Sequence, residues 1–381
     1  MNAAEMGVRS EGLGSPWPVL KQGLRTCIKT SCAATLHVSG LERVFAARRG
    51  IGRSPLILGY HRVVENFRHS ARQSIAPQLT SVKMLERHLD WVGKYYDFVT
   101  LDEVLQVLQG QLQPSRPVAA VTFDDGYQDV YTNALPLMQR KGIPGAIFVV
   151  TELTGTRQLL VHDELYFVFS RLLQTQRGKR DPNWWQQILP ADIAEQLTPH
   201  AHTMKTPFQA MRAALDLLDA KQIQRLLKVC SAGTDLKGRE EFQLLDWEQL
   251  RSMQRQDFTV GSHTQTHALL AEQSAEVLKQ ELEGSRKTLE AQLGTSIKHL
   301  AYPDGRFDRA AVAVAAEAGY AAAYTICRHR DPQHPLLTIP RTMLWERACL
   351  DPIGRFSKSI LSCQINGIFD PALRCQRPHL A

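Results

Sequence analysis

The sequence has no C-x-x-C pair, and its seven cysteines (Cys27, Cys32, Cys230, Cys327, Cys349, Cys363 and Cys375) are scattered and odd in number. Such spacing offers neither a zinc knuckle nor a dithiol redox pair, so the thiols read as free in a reducing compartment. No run approaches the ~18 apolar residues a membrane span needs, and the first residues lack a charged-then-apolar leader, so a cytoplasmic address is expected. Also missing is any block of lysine and arginine interleaved with aromatics. A nucleic-acid partner is therefore set aside despite a formal net charge of +7. Internal repeats and low-complexity tracts are absent too.

What is present is an ordinary globular composition: 381 residues, 44% apolar and 22% charged, enough to bury one large core. The basic excess gathers early, where residues 1–60 oppose eight Lys/Arg to Glu5, Glu11 and Glu42. Residues 1–17 read as a loose tail. From Val19 to Arg49, Leu20, Leu24, Cys27, Ile28, Leu41, Val44 and Phe45 recur at helical spacing among Lys21, Arg25, Lys29, Arg43, Arg48 and Arg49. That pattern predicts an amphipathic helix, docked either on the domain's own core or on an anionic bilayer surface, for example the inner membrane face.

Alternation of strand and helix begins at Leu56. Short apolar runs at Leu56–Tyr60, Val118–Phe123, Ala146–Val150, Phe258–Gly261, His299–Tyr302 and Ala321–Ile326 predict strands. Helical patterns fill Asp129–Lys141, Ser274–Leu293 and Asp308–Ala318, each closed by a glycine (Gly142, Gly294, Gly319). The alternation implies a parallel α/β sheet. Residues 155–244 break it with a polar, helical stretch, read as an inserted subdomain on the active face. The expected organisation is a basic tail and helix over 1–53, a catalytic domain over 54–350 with its insertion, and a C-terminal extension over 351–381.

Two stretches carry chemistry. In Val121-Thr122-Phe123-Asp124-Asp125-Gly126-Tyr127 adjacent carboxylates end an apolar strand. Buried together they would need a metal, a cation or a shared proton; a solvated Asp-Asp-Gly turn is the plainer alternative. The second, Gly261-Ser262-His263-Thr264-Gln265-Thr266-His267, sets two imidazoles four positions apart, which would bring both to one side of a helical turn. With Asp125 as third ligand, a His-His-Asp site would leave a coordination position open, as hydrolytic metals require.

These motifs, Thr122-Phe123-Asp124-Asp125-Gly126 and His263-Thr264-Gln265-Thr266-His267, resemble those of the polysaccharide deacetylases, carbohydrate esterase family 4 with NodB homology. The resemblance runs from about Pro55 to Trp345. It implies a distorted, incomplete (β/α) barrel of the seven-stranded, TIM-like type, holding one divalent metal, usually zinc, and removing acetyl groups from N-acetylated sugars. It implies Asp125, His263 and His267 as metal ligands, Asp124 as general base, and the backbone N–H of Tyr127 as oxyanion donor. The family's R-x-P-[YF] motif survives only as Ala301-Tyr302-Pro303-Asp304-Gly305, without its arginine, and Arg341 is the substitute candidate. The family's late histidine is missing as well. Gly59-Tyr60-His61-Arg62-Val63 resembles the opening of the poly-N-acetylglucosamine deacetylase branch, which makes His61 the candidate acid. The expected substrate is an N-acetylhexosamine glycan or lipid-linked precursor. A non-sugar amide, or a carbohydrate-binding relative without turnover, are the alternatives.

Overall fold

The computed structural model describes residues 17–48, 54–175, 184–230, 240–271 and 273–369. Residues 1–16 of the tail expected over 1–17, Arg49 and Cys375 lie outside them, and Trp17 opens a helix instead.

Eleven strands are described: β1 Leu56–Tyr60, β2 Arg62–Val64, β3 Leu79–Ser81, β4 Asp97–Phe98, β5 Val118–Phe123, β6 Gly145–Val149, β7 Phe258–Ser262, β8 His299–Ala301, β9 Ala322–Thr325, β10 Ile339–Pro340 and β11 Thr342–Met343. The main sheet runs β10-β9-β8-β7-β6-β5-β1-β11 with every pairing parallel, and β4 adds to β5. β10 and β11 occupy opposite edges of this sheet, yet only Arg341 separates them in the chain. One residue thus carries the chain from one edge to the other, and the sheet curls into a nearly closed (β/α) barrel as expected.

Strands covered on both faces have no polar side to show, which is why their sequences run apolar without alternation. Side chains nevertheless divide by parity. Leu58, Tyr60, Val121, Phe123, Ile147 and Val149 join the core beneath the surrounding helices. Ile57, Ala120, Ala146, Phe148, Ala301 and Tyr324 form a second core with Leu101, Val104 and Leu105 of the helix Leu101–Leu108. The alanines among them leave room for the apolar side of that helix to pack against these strands. Asp102 on the same helix anchors it, accepting from His299 (3.1 Å), whose other ring nitrogen meets the Tyr324 hydroxyl, and from Lys298.

The strand expectations hold to within a residue or two for β1 and β5–β9. Strands β2, β3, β4 and β11, of two or three residues, are too short to leave a periodic signature. Two expected helices carry π turns, Val130–Ala134 before Leu135–Lys141, and Gln280–Gly284 between Ala275–Lys279 and Ser285–Leu293. Such turns hold one extra residue, re-aiming the side chains around them.

The chain divides into two compact units. One comprises residues 158–240 with 71–76, close to the insertion read from the sequence. Its helices pack Phe169 on Trp185, ring centres 5.8 Å apart, with Ile193, Ala210 and Leu226 buried. The other holds the barrel. It also contains the helix Trp17–Ser39 from Val19 onward and the helices Leu41–Arg48 and Lys358–Ile365; Ala33, Leu36, Ile360, Leu361 and Ile365 join the outer core. Glu42, fully buried, accepts from Ser362 (3.2 Å) and pairs with His37 (3.0 Å). Of the two readings of the basic N-terminal helix, docking on the chain's own core is the one observed. No described helix is long and apolar enough to cross a membrane.

Candidate active site

Every candidate residue comes from the C-terminal end of a barrel strand or the loop just after it. Tyr60 lies level with Phe123 in the β1–β5 ladder, and the Asp124 amide donates to the Tyr60 carbonyl (2.9 Å). His61 and Asp124, one residue further on, are therefore neighbours across two strands. His61 is half-buried. Just past β5 come Asp125 (φ 74°) and Gly126 (φ 78°), two left-handed residues that turn the chain back at once. A side chain at position 126 would come within 3.0 Å of Val149.

Asp125, His263 and His267 converge. Nε2 of His263 lies 3.4 Å, and Nε2 of His267 3.3 Å, from the same oxygen, Asp125 Oδ1. His263 Nδ1 donates to the Ala301 carbonyl (2.8 Å), which can only accept, so the neutral ring presents a lone pair at Nε2. Electron-rich atoms facing one another in a buried site call for a positive charge between them. Ligand atoms each ~2.1 Å from a shared tetrahedral cation stand roughly 3.4 Å apart, close to the separations observed. All three ligand atoms lie within 4.8 Å of one another. These residues fit a small divalent cation.

The loop bearing the imidazoles is not the helical turn their spacing suggests. Residues 263–267 are irregular, with Thr264 at φ 68° and His267 at φ 67°. Left-handed backbone at a β-branched residue is strained, by about 1–3 kcal/mol, and persists only where the surroundings hold it. Among the described residues five non-glycines have positive φ, and four of them (Asp125, Thr264, His267 and Asp304) belong to this site. The His263 backbone is instead set by the hydrogen bond its amide donates to the Val149 carbonyl (2.9 Å), and the two rings meet edge-on, centres 4.9 Å apart.

Asp124 faces a different partner. Arg341 grips it with two parallel bonds, Nη1 to Oδ1 and Nη2 to Oδ2, both 2.7 Å, while Nη1 also reaches Thr122 Oγ1 (3.1 Å). Both side chains are buried. Burial works to raise the Asp124 pKa, but the Arg341 charge, with lesser help from His263, the Arg341 hydrogen bonds and His61, brings it below the ordinary carboxylate value. The geometry thus unites Asp124, Asp125, His263, His267, Arg341 and His61.

Tyr127 is fully buried and forms a bridge with Leu244 whose two hydrogen bonds come from the flanking amides of Gln128 and Leu245. Arg62 stacks over its ring (4.9 Å) and over Phe242 (4.5 Å), and binds Asp129 (2.8 Å) and the Glu241 carbonyl. Asp129 also accepts from the Val63 amide (3.1 Å). The Arg62–Asp129 pair, which locks the loop after β5, escaped the sequence reading; the buried cation next to His61 was its only trace. Asp304 escaped too. Its charge acts on His267, whose pKa burial would lower but Asp125, and then Asp304 and Asp124, raise. It lies in Tyr302-Pro303-Asp304, the stretch that resembles the family's R-x-P-[YF] motif without its arginine.

Comparisons with known proteins bear on the family and the fold. A poly-beta-1,6-N-acetyl-D-glucosamine N-deacetylase of Staphylococcus aureus (strain MSSA476) is 32% identical over 111 residues, 27% of this chain and 38% of that one. The match thus spans well under half the length of that curated relative. In fold the chain is similar to IcaB from Ammonifex degensii (TM-score 0.51, 16% identity, 82% of this chain and 97% of that one). It is also similar to the deacetylase PplD of Streptococcus pyogenes, solved in complex with acetate (TM-score 0.50, 17% identity, 79% and 95%). A family model described as polysaccharide deacetylase matches residues 111–188 and 205–323, just over half of the chain and all of the stretch from Asp124 to His267 except residues 189–204. With both motifs inside that match and their side chains converging, the chain belongs to the polysaccharide deacetylase family.

Proposed function

We propose that the protein is a metal-dependent hydrolase that removes N-acetyl groups from an N-acetylhexosamine-containing glycan or lipid-linked sugar. The observation that carries this reading is the convergence of Asp125, His263 and His267 beside an Asp124 that faces Arg341 rather than joining them. Asp125, His263 and His267 would hold a divalent cation, zinc being the expected one, and bound there it would supply Lewis acidity toward an acetamide carbonyl and toward water. Asp124, kept ionised and oriented by Arg341, takes a proton from the attacking water. The Tyr127 amide donates to the oxygen on which negative charge develops. His61, across the strands from Asp124, gives a proton to the departing nitrogen. The C–N bond breaks, leaving acetate and a free amine. The activity named for the S. aureus relative supports a β-1,6-linked N-acetylglucosamine polymer, or a precursor of like chemistry, as substrate.

Acetate release from β-1,6-linked N-acetylglucosamine oligomers and from lipid-linked N-acetylhexosamine by zinc-loaded protein tests this. Release is expected, with Asp124→Asn slower by on the order of 10²–10⁴-fold. Equal rates for the two proteins would remove Asp124 as base. Zinc binding without acetate from any acetamido sugar would turn the reading toward carbohydrate binding.

The compartment and the membrane contact belong to the same proposal. The scattered cysteines, without a C-x-x-C pair, are what supports a reducing compartment. The short helix Leu41–Arg48 leaves Leu41, Val44 and Phe45 between 41% and 47% exposed, beside Val38 at 88% and next to exposed Arg43 and Arg48. We assign this edge to peripheral contact with an anionic bilayer.

A further inference from the structure

The loop from His263 to His267 spends all five of its amides. His263 donates to the Val149 carbonyl (2.9 Å), Thr264 to Ser262 Oγ (3.1 Å) and His267 to Thr264 Oγ1 (3.0 Å). The middle two, Gln265 and Thr266, both donate to one oxygen of Glu281, each at 2.9 Å, and the Thr266 hydroxyl donates to the other oxygen at 2.6 Å. Glu281 is 5% exposed and lies in the π turn Gln280–Gly284. Gly284 of that same turn packs so closely on Gln265 that a β-carbon there would come 2.5 Å from its side-chain oxygen.

We infer that Glu281 is a positioning residue for the metal: through three hydrogen bonds it holds the 263–267 loop in the conformation that aims both imidazoles at Asp125. The inference rests on the metal centre read above. Its physical basis is the strain at Thr264 and His267, which lie on either side of the two clamped amides. Thr266 is exposed, so water can satisfy its amide once the carboxylate is gone, and the left-handed residues are then free to relax and swing His267 away. The π turn supplies the register: it sets Glu281 under the loop while the helix Ser285–Leu293 keeps Leu289 in the outer core.

The test uses the full chain and zinc itself. Zinc affinity is measured by chelator competition well below the melting temperature, with the visible spectrum of the cobalt-loaded protein as second readout. Glu281→Gln retains the pattern, since its carbonyl oxygen accepts from both amides and its NH₂ donates to the Thr266 hydroxyl, so near-native affinity is expected. Glu281→Ala is expected to bind zinc about 10–100-fold more weakly and to change the cobalt spectrum, as loss of a ligand-orienting group does. Glu281→Asp keeps the charge but falls one methylene short. It should bind more weakly than Glu281→Gln and serves if the alanine variant does not fold. Native zinc affinity in folded Glu281→Ala or Glu281→Asp, with only a lowered melting temperature, would overturn the inference by making the contact merely structural. Zinc binding by the wild type without any deacetylation leaves this test intact and counts against the proposed function alone. A wild type that binds no zinc overturns both.

Discussion

At the scale of single residues the site turns on Arg341. It lies 217 positions from Asp124 and belongs to none of the family's recognisable motifs, so its sequence context, Ile339-Pro340-Arg341, allows a packing role as readily as a catalytic one. Only folding decides, by placing a planar two-pronged cation against a carboxylate of matching geometry. Lysine cannot reproduce that fork. Arg341→Lys should therefore lower kcat by ten-fold or more with little change in KM, read by steady-state acetate release. Arg341→Ala leaves a buried carboxylate without its cation. Unfolding in urea should show it less stable than wild type by about 3–5 kcal/mol. Asp124, Asp125, His263 and His267 were legible because their spacing is a motif. The left-handed Thr264 and His267 were not, since no local rule asks a threonine to adopt positive φ, and the i, i+4 spacing of the histidines suggested a helix instead.

At the scale of elements, the strands were legible because burial on both faces makes them apolar throughout, and the helices because glycine caps end them. What the sequence hides is how elements are pinned to one another by single polar contacts. Glu281 in a π turn, Asp102 on the helix Leu101–Leu108 and Arg62 at the start of β2 each act at a distance that periodicity does not encode. The helix Val82–Val92 gives a measurable case. Its His88 is fully buried, meets the Tyr60 hydroxyl through Nδ1 (3.2 Å), has no hydrogen-bond partner at Nε2, and is pushed by burial down to about 3. An unfolded chain takes a proton on this ring below about pH 6.5, whereas the folded protein refuses it until about 3. Stability is thus full above that upper value and declines as pH falls through the window, by at most roughly 1.4 kcal/mol per pH unit from this group. His88→Gln, which keeps an acceptor for Tyr60, should lose less stability than wild type between pH 6 and pH 4 in urea titrations. Parallel losses in the two proteins would assign the acid sensitivity elsewhere.

For the whole molecule, charge and apolar exposure are unevenly distributed. The exposed Arg43 and Arg48 and the exposed Val38, Leu41, Val44 and Phe45 lie together on helices whose other sides bury Ala33, Glu42 and Ala46. One side of these helices is spent on the fold, and the other is left over. Flotation with vesicles containing anionic lipid should carry the protein, more at low salt than high, and Val44→Glu with Phe45→Glu should abolish it without altering acetate release from soluble oligomers. Equal flotation of the double variant, or none by wild type, would remove the bilayer from the proposal.

Arg341 is also the lone residue joining the two rims of the curled sheet, and it comes after every other member of the site in chain order. During synthesis the aspartates and imidazoles emerge first. Asp124 can therefore gain its guanidinium partner only after that late residue has been made, by the same short segment that supplies both edge strands of the sheet.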